Sequence, residues 1–259
     1  MEDAVFQGDV KKLAELIRQD PGFKVNMDHG AGVTFLHHAC DEGENSSPVI
    51  PLLLAHPDID VNVKSTGGQT PFYYPCLRGS TSSAREMLKD SRVNVNKPRN
   101  DGITPLWRAA CNGYLDIIGW WIVSGREVDL GKPGDVDYTD AIGVAKIQGE
   151  TEVVALLERF QNDATKTRQA VRVEVGWYDE LAAGMFALVV FVSDGLLKIK
   201  DTPPSPAARY FKMARRLPLE LQMLLCFRQV GSTKEIIPGK ESEMAFKELA
   251  RRLTANLFK

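Results

Sequence analysis

The stretch that decides the fold is "DGITPLWRAACNGYLDIIGWWIVSGREVDL", residues 101–130. Its first dipeptide, Asp-Gly, predicts a turn, because glycine tolerates a positive φ. Thr104 can cap a helix whose first turn accommodates Pro105, and Gly113 is placed to end that helix. A second helix is predicted after it, because apolar residues recur there at spacings of three and four. That apolar face consists of Leu115, Ile117, Ile118, Trp121 and Ile122.

The same unit recurs through the first 160 residues. The glycine that ends its first helix has counterparts at spacings of 35, 36, 34 and 36 residues: Gly8, Gly43, Gly79, Gly113 and Gly149. A threonine precedes three of these glycines by nine residues: Thr34, Thr70 and Thr104. A Val-Asn pair precedes those threonines: Val25-Asn26, Val61-Asn62 and Val95-Asn96. Self-similarity at this period indicates a solenoid of stacked helical units.

These segments carry a family resemblance. "GITPLWRAACNGYLDII" (102–118), "GVTFLHHACDEG" (32–43) and "GQTPFYYPCLRG" (68–79) resemble the ankyrin repeat, a turn followed by Thr-Pro-Leu-His and small residues. The half-repeat at 4–17 and the segment 140–157 are similar. The resemblance implies an all-α ankyrin-repeat solenoid over residues 1–160, with about five repeats and a truncated first one.

Prolines make the second and third repeats depart from this pattern. Phe35 replaces the usual proline of the motif, and Pro75 falls within a predicted first helix. The segment "ENSSPVIPLLLAHP" (44–57) adds prolines in or beside a second helix. Because a proline inside a helix removes a hydrogen bond and kinks it, we expect these two repeats to be irregular.

Residues 161–259 form a different kind of structure, a helical C-terminal domain. Residues 1–160 contain 16 Lys and Arg against 23 Asp and Glu, a formal charge of −7, whereas residues 161–259 contain 16 against 11, or +5. The pattern predicts four helices, the third broken at Pro218. Together they form a bundle that is large enough for its own core and that we expect to cap the last repeat.

The resemblance implies a non-enzymatic protein–protein interaction module. Ankyrin repeats as a family bind protein partners on their concave face, through turn tips and exposed residues of the first helices. Carried onto this sequence, the partner-binding positions are His38, Asp41, Glu42, Tyr74, Arg78, Trp107, Arg108 and Asn112. Tyrosine, tryptophan and arginine are the residues most enriched at binding hot spots. A second interpretation stays open for His37, Tyr73 and Trp107, which can instead pack between repeats.

The tail allows an alternative function. Leu217, Pro218, Glu220 and Leu221 in "LPLELQMLL" (217–225) resemble the opening of an F-box. That resemblance implies a substrate receptor of a ubiquitin ligase, with the tail recruiting the ligase adaptor. Burial of Leu217, Leu221 and Leu225 in the bundle counts against recruitment, and burial is what we expect. The basic residues Arg209, Lys212, Arg215 and Arg216 are expected to form a solvated face or to pack on the acidic repeats.

Composition and motifs argue against other classes. An ordinary composition with a net charge of −2 excludes a disordered chain and a strongly basic nucleic-acid binder. We expect no cofactor, small-molecule substrate or metal, because His37 and His38 point about 100° apart on a helix and no catalytic motif stands out. Cys40 and Cys76 fall at small-residue positions and are expected to be buried hydrophobes.

The same reasoning predicts where the chain resides. The N-terminus lacks the apolar segment of a secretory signal, and the longest apolar run, Leu181 to Val192, is too short for a membrane span. The four cysteines are widely spaced, which favours reduced thiols. We therefore expect a cytoplasmic protein, with the nucleus as a further location, and no membrane insertion.

Overall fold

The structure, a computed structural model, describes residues 2–20, 22–131, 140–198, 205–232, 234, 236–237 and 239–256, with side chains through residue 250. Across these residues the chain is helical and contains no strand, which confirms the predicted all-α class. It forms two compact units, residues 1–171 and 172–259.

The first unit is a stack of five helix pairs. In chain order the pairs are α1 (Glu2–Phe6) with α2 (Val10–Gln19), α3 (Phe35–Asp41) with α4 (Ile50–Leu54), α5 (Tyr73–Arg78) with α6 (Thr81–Lys89), α7 (Pro105–Cys111) with α8 (Leu115–Ser124), and α9 (Ala141–Gln148) with α10 (Thr151–Asn162). Each first helix packs against the first helix of the next pair. This arrangement is the solenoid that the repeat predicts.

The prolines shift where helices begin rather than bending them. In α7, Thr104 Oγ1 accepts a hydrogen bond from the Trp107 amide at 3.1 Å, and Pro105 is the first helical residue. In the third repeat the helix begins later, at Tyr73, so Pro75 lies in its first turn. A proline there costs no intrahelical bond, because the first amides of a helix have no partner within it. Pro51 is placed in the same way near the start of α4.

The first two Val-Asn pairs each tie one repeat to the next. Val61 is buried, and the side chain of Asn62 reaches the following repeat, where its Nδ2 donates to Arg92 O at 2.8 Å. Its Oδ1 accepts from the Asn94 amide at 2.7 Å. Asn26 makes the same pair of bonds one repeat earlier. One amide side chain thus satisfies a donor and an acceptor of the neighbouring repeat, which fixes the register between the two.

His37 makes a second connection between repeats. The ring is fully buried, with Nε2 3.2 Å from Gln69 O and Nδ1 3.1 Å from the Thr34 amide. Nε2 therefore donates to the third repeat, while Nδ1 accepts at the start of α3. Burial lowers the pKa of His37, the charge of His38 lowers it further, and the bond to Gln69 O opposes the change. The ring is neutral in the folded protein.

The remaining helices belong mostly to the second unit. They are α11 (Ala164–Glu174), α12 (Trp177–Ser193), α13 (Pro206–Ala214), α14 (Leu219–Gln229) and α15 (Gly239–Asn256). The beginning of α11 packs with the repeats, since Arg168 Nε donates to Ile122 O at 2.8 Å. The core of the second unit consists of Ala182, Ala183, Phe186, Val189, Ala214, Cys226, Phe227 and Ile237.

The expected burial of Leu217, Leu221 and Leu225 is wrong for Leu221 and is only partly met by the other two leucines. Leu221 is 47% exposed, and Leu217 and Leu225 are only half-buried. The side of α14 that enters the core carries Gln222, Cys226 and Phe227. Because each residue turns a helix by about 100°, Leu221, one position before Gln222, is rotated toward solvent. Leu225 is partly buried and packs against the core.

Among the described residues, no single helix is both long and apolar enough to cross a membrane. Helices α11 and α12 meet the length and composition only together, as a bent pair.

Two of the glycines that end first helices provide a matched pair for testing the stack. Both have a positive φ, +64° at Gly8 and +78° at Gly149. A Cβ at Gly8 would overlap the backbone carbonyl of Asn45 in the second repeat, whereas a Cβ at Gly149 would meet nothing within 4 Å. We expect Gly149→Ala to cost about 1 kcal/mol from the positive φ alone. Gly8→Ala should cost about 2–4 kcal/mol, because backbone must also shift. Urea unfolding measures the free energy of unfolding of both variants. Equal decreases in that free energy would show that Gly8 does not pack closely against the Asn45 carbonyl.

The neutral state of His37 predicts a pH dependence. Because the folded pKa lies below the ordinary value of 6.5, the unfolded chain takes up the proton first as the pH falls. The free energy of unfolding should therefore be highest above pH 6.5 and decrease below it, by at most about 1.4 kcal/mol per pH unit from this group. In His37→Asn the slope between pH 7.5 and 5.5, measured by urea unfolding, should be flatter. An unchanged slope would contradict a neutral, buried His37.

Candidate functional site

Consecutive first helices present a row of accessible side chains. The two residues before each closing glycine are exposed or half-buried in four repeats: Asp41 and Glu42, Leu77 and Arg78, Cys111 and Asn112, Ile147 and Gln148. Because α3, α5, α7 and α9 pack in sequence, these pairs follow one another along the stack. We call these eight residues, together with His38, Tyr74, Arg99 and Arg108, the first-helix face.

Bonds between neighbouring helices hold this face in place. Arg78 Nε donates to Asp41 Oδ1 at 2.7 Å, which joins α5 to α3. Asn112 Nδ2 donates to Leu77 O at 3.2 Å, which joins α7 to α5. The Arg78 side chain is still 56% exposed, and an ion pair so exposed adds about 0–1 kcal/mol of stability. Its main consequence is therefore to orient the guanidinium and the carboxylate.

The Tyr73 hydroxyl is the point at which side chains of the third and fourth repeats meet. Its side chain is fully buried, yet its hydroxyl oxygen accepts from Arg108 Nε at 3.0 Å and from Arg99 Nη1 at 3.4 Å. Arg99 comes from the turn before α7 and also pairs with Asp101 at 3.0 Å. Two guanidinium groups from the fourth repeat thus converge on one oxygen of the third.

Tyr74 adds a neutral hydroxyl next to these charges. Burial raises the pKa of the Tyr74 hydroxyl, and the charge of Asp41 raises it further. A hydrogen bond to Ser65 and the nearby charges of Arg78 and Arg99 act in the opposite direction. The ring is only half-buried, so Tyr74 offers a partner both an aromatic surface and a polar group.

His38 and Glu42 lie at the first-repeat side of the face. The half-buried His38 ring packs edge-on against Phe6, with 5.0 Å between ring centroids, and it lies 5.7 Å from His29. Burial lowers the pKa of His38, and the charge of His29 lowers it further. Glu42 is exposed one residue before Gly43. This end of the face therefore combines a neutral imidazole with carboxylates.

The burial of Trp107 favours its second interpretation, packing between repeats. Only 8% of Trp107 is exposed, and its ring lies 5.5 Å from the Arg108 guanidinium carbon. His37 and Tyr73, at the same position of the two preceding repeats, are fully buried. The alternative interpretation, packing between repeats, therefore fits all three, because this position of the first helix lies within the stack.

The sequence reasoning missed three residues of the face: Arg99, Ile147 and Gln148. Ile147 is 66% exposed, and its position two residues before Gly149 is the register that identifies Leu77 and Cys111 in earlier repeats. That signal was available in the sequence. Arg99 lies in a turn, and only the folded chain shows that it reaches Tyr73.

Several chemically reactive side chains of the described repeats are buried or already hydrogen-bonded. Cys40 and Cys76 are buried as predicted, and burial raises the pKa of both thiols. Both ring nitrogens of His37 are occupied by hydrogen bonds. No group of three metal-ligating side chains converges among the described residues. What the face presents is hydrogen-bond donors, carboxylates, an exposed isoleucine and a half-buried tyrosine.

Curated relatives match parts of this chain. The SMC5-SMC6 complex localization factor protein 1 of Bos taurus and that of Homo sapiens are each 38% identical over 86 residues, which is 33% of this chain and 8% of the relative. The Target of rapamycin complex 2 subunit AVO2 of Saccharomyces cerevisiae is 22% identical over 128 residues, which is 49% of this chain and 30% of the relative. The chain thus spans less than a third of the length of each of these proteins.

A family model for ankyrin repeats, with three copies in its description, matches residues 1–98 and 36–132. Those ranges coincide with the first four helix pairs and with the segments that carry the motif. They cover just over half of the 259 residues, and the chain belongs to the ankyrin-repeat family.

Proposed function

We propose that this chain is a non-enzymatic interaction module that binds a protein partner on its first-helix face, the concave side in ankyrin repeats. The observation that carries the proposal is the row of accessible side chains on four successive first helices. Bonds between repeats fix several of these side chains, such as Arg78 on Asp41 and Arg108 on Tyr73. A surface ordered in advance loses less conformational entropy when a partner binds.

The composition of the face supports the same proposal. Arginine and tyrosine are enriched at hot spots, and Tyr74, Arg78 and Arg108 bring both to adjacent repeats. Ile147 adds an apolar contact that is 66% exposed in the free chain. A partner that covered Ile147 would remove this surface from water, at about 25 cal/mol per Å².

The names of the relatives point in the same direction. One is named as a localization factor of a complex, and another as a subunit of a complex. These names describe those proteins, and the shared segments are a small part of each. They support partner binding as the general role of these repeats, while the identity of the partner depends on the side chains of this face.

The proposal is tested by capturing proteins from an extract of the cells that contain this chain. The face variant is Glu42→Lys with Ile147→Asp, at two exposed positions whose side chains are not bonded to the described residues. The control variant is Asp116→Lys with Ala155→Asp, at exposed positions of second helices. We expect wild type and control to capture the same protein. The face variant should bind this protein with an affinity at least about tenfold lower, which corresponds to a loss of ~1.4 kcal/mol of binding free energy.

Equal thermal melts of the three proteins must first show that all are folded. Retention of the partner by the face variant would contradict the proposal. So would equal losses in the face and control variants, because binding would then not be localised to the first helices.

The ligase-receptor function remains a second candidate because of one observation. Leu221 is 47% exposed, and Pro218 and Glu220 beside it are exposed as well, so part of the F-box-like segment is accessible. Leu221→Glu is the variant that separates the two candidates, and its exposure predicts that the tail stays folded. Loss of a ligase adaptor with Leu221→Glu, but not with the face variant, would favour this second function.

A further inference from the structure

Three arginines lie on the first-helix face, and they differ in what neutralises them. Arg78 pairs with Asp41 at 2.7 Å, and Arg99 pairs with Asp101 at 3.0 Å. Arg108 has no carboxylate partner in the part of the chain that the structure describes. Its Nε donates to the Tyr73 hydroxyl, and its guanidinium lies beside the Trp107 ring.

The bond to Tyr73 leaves the outer end of Arg108 available. A guanidinium has five N–H donors, and only the one on Nε is used within the described residues. The four donors on Nη1 and Nη2 remain, on a side chain that is half-buried and therefore reachable from solvent. Because Tyr73 is fixed in the core, the orientation of the Nη1–Nη2 edge is set before any ligand arrives.

A second guanidinium increases the positive potential at this point. Arg99 Nη1 lies 3.4 Å from the same phenolic oxygen, so two cations approach each other across it. Arg99 Nε is buried and has no hydrogen-bond partner. Two like charges this close repel, and an anion bound at their edge would offset the repulsion.

We propose that Arg108, oriented by Tyr73 and flanked by Arg99, binds a carboxylate of an acidic segment in the protein partner. The inference rests on the proposed function and specifies the chemistry of the partner at that surface. Paired Nη1 and Nη2 donors match the two oxygens of a carboxylate, which makes such contacts both strong and directional.

The local charge favours a carboxylate over a phosphate. Arg78 is paired with Asp41 and Arg99 with Asp101, so the charge of Arg108 is the local excess that no carboxylate of the described residues pairs with. A single carboxylate neutralises that excess. A phosphate group with nearly two negative charges would exceed it and would also be repelled by the two aspartates.

The test uses the full chain and three fluorescein-labelled peptides of twelve residues. One alternates Glu with Ala, the second has Gln in place of every Glu, and the third carries two phosphoserines in a Gln-Ala background. Fluorescence anisotropy gives the affinity of each peptide for wild type, for Arg108→Gln and for Lys11→Gln. The last variant removes one positive charge from an exposed site on α2 and is the control for net charge.

We expect the Glu peptide to bind and the Gln peptide not to bind. Arg108→Gln should weaken binding of the Glu peptide by about tenfold or more, whereas Lys11→Gln should change it by less than about twofold. Tyr73→Phe keeps Arg108 but removes the hydroxyl that orients it. This variant should also weaken binding of the Glu peptide, while its melting temperature stays unchanged.

Four results would overturn the inference. They are no binding of the Glu peptide by wild type, no effect of Arg108→Gln, an equal effect of Lys11→Gln, and tighter, Arg108-dependent binding of the phosphopeptide. Suppose that the peptides give one of these four results while the Glu42→Lys/Ile147→Asp variant still loses its cellular partner. The proposed function then stands, and only the inference that Arg108 binds a carboxylate of the partner is wrong. If both experiments fail, both proposals are wrong.

Discussion

Hydrogen bonds that cross from one repeat to the backbone of the next are the constraint on which this protein depends. A single helix pair cannot bury its own apolar side, so each repeat is stable only when its neighbours are in register. Asn62 sets that register on one side of the stack and His37 on another. Because these bonds fix the first helices, they also fix the side chains that those helices present to a partner.

The repeat could be predicted from the sequence because its signals are local. Glycines that end helices, threonines nine residues before them and Val-Asn pairs recur at a fixed period, and local signals of this kind can be recognised without the folded structure. The tail has no such period. The face of α14 that enters the core is decided by tertiary packing, and for that reason Leu221 was wrongly expected to be buried. The late start of α5 at Tyr73 was missed because it results from Pro75 and the turn before it.

The position of the candidate site could be predicted from the sequence, but the contacts between its side chains could not. Register alone places Arg78, Asn112 and Ile147 on one face, since each precedes a closing glycine by one or two residues. It does not distinguish a ring that packs between repeats from one that contacts a partner, and for Trp107 only its burial in the folded chain favours packing. Nor does it show that Arg99, from a turn, meets Arg108 at the Tyr73 hydroxyl. That junction depends on how two repeats stack.

The central claim is that partners bind the first helices, and photo-crosslinking tests it most directly. A benzophenone amino acid would be placed at Arg78 or Gln148 on the first-helix face, and at Glu152 or Gln161 on α10 as controls, all of them exposed. The account predicts that both face positions crosslink to the same protein in cell extract and that the α10 positions do not. Crosslinks from α10 alone, with none from the face, would contradict it.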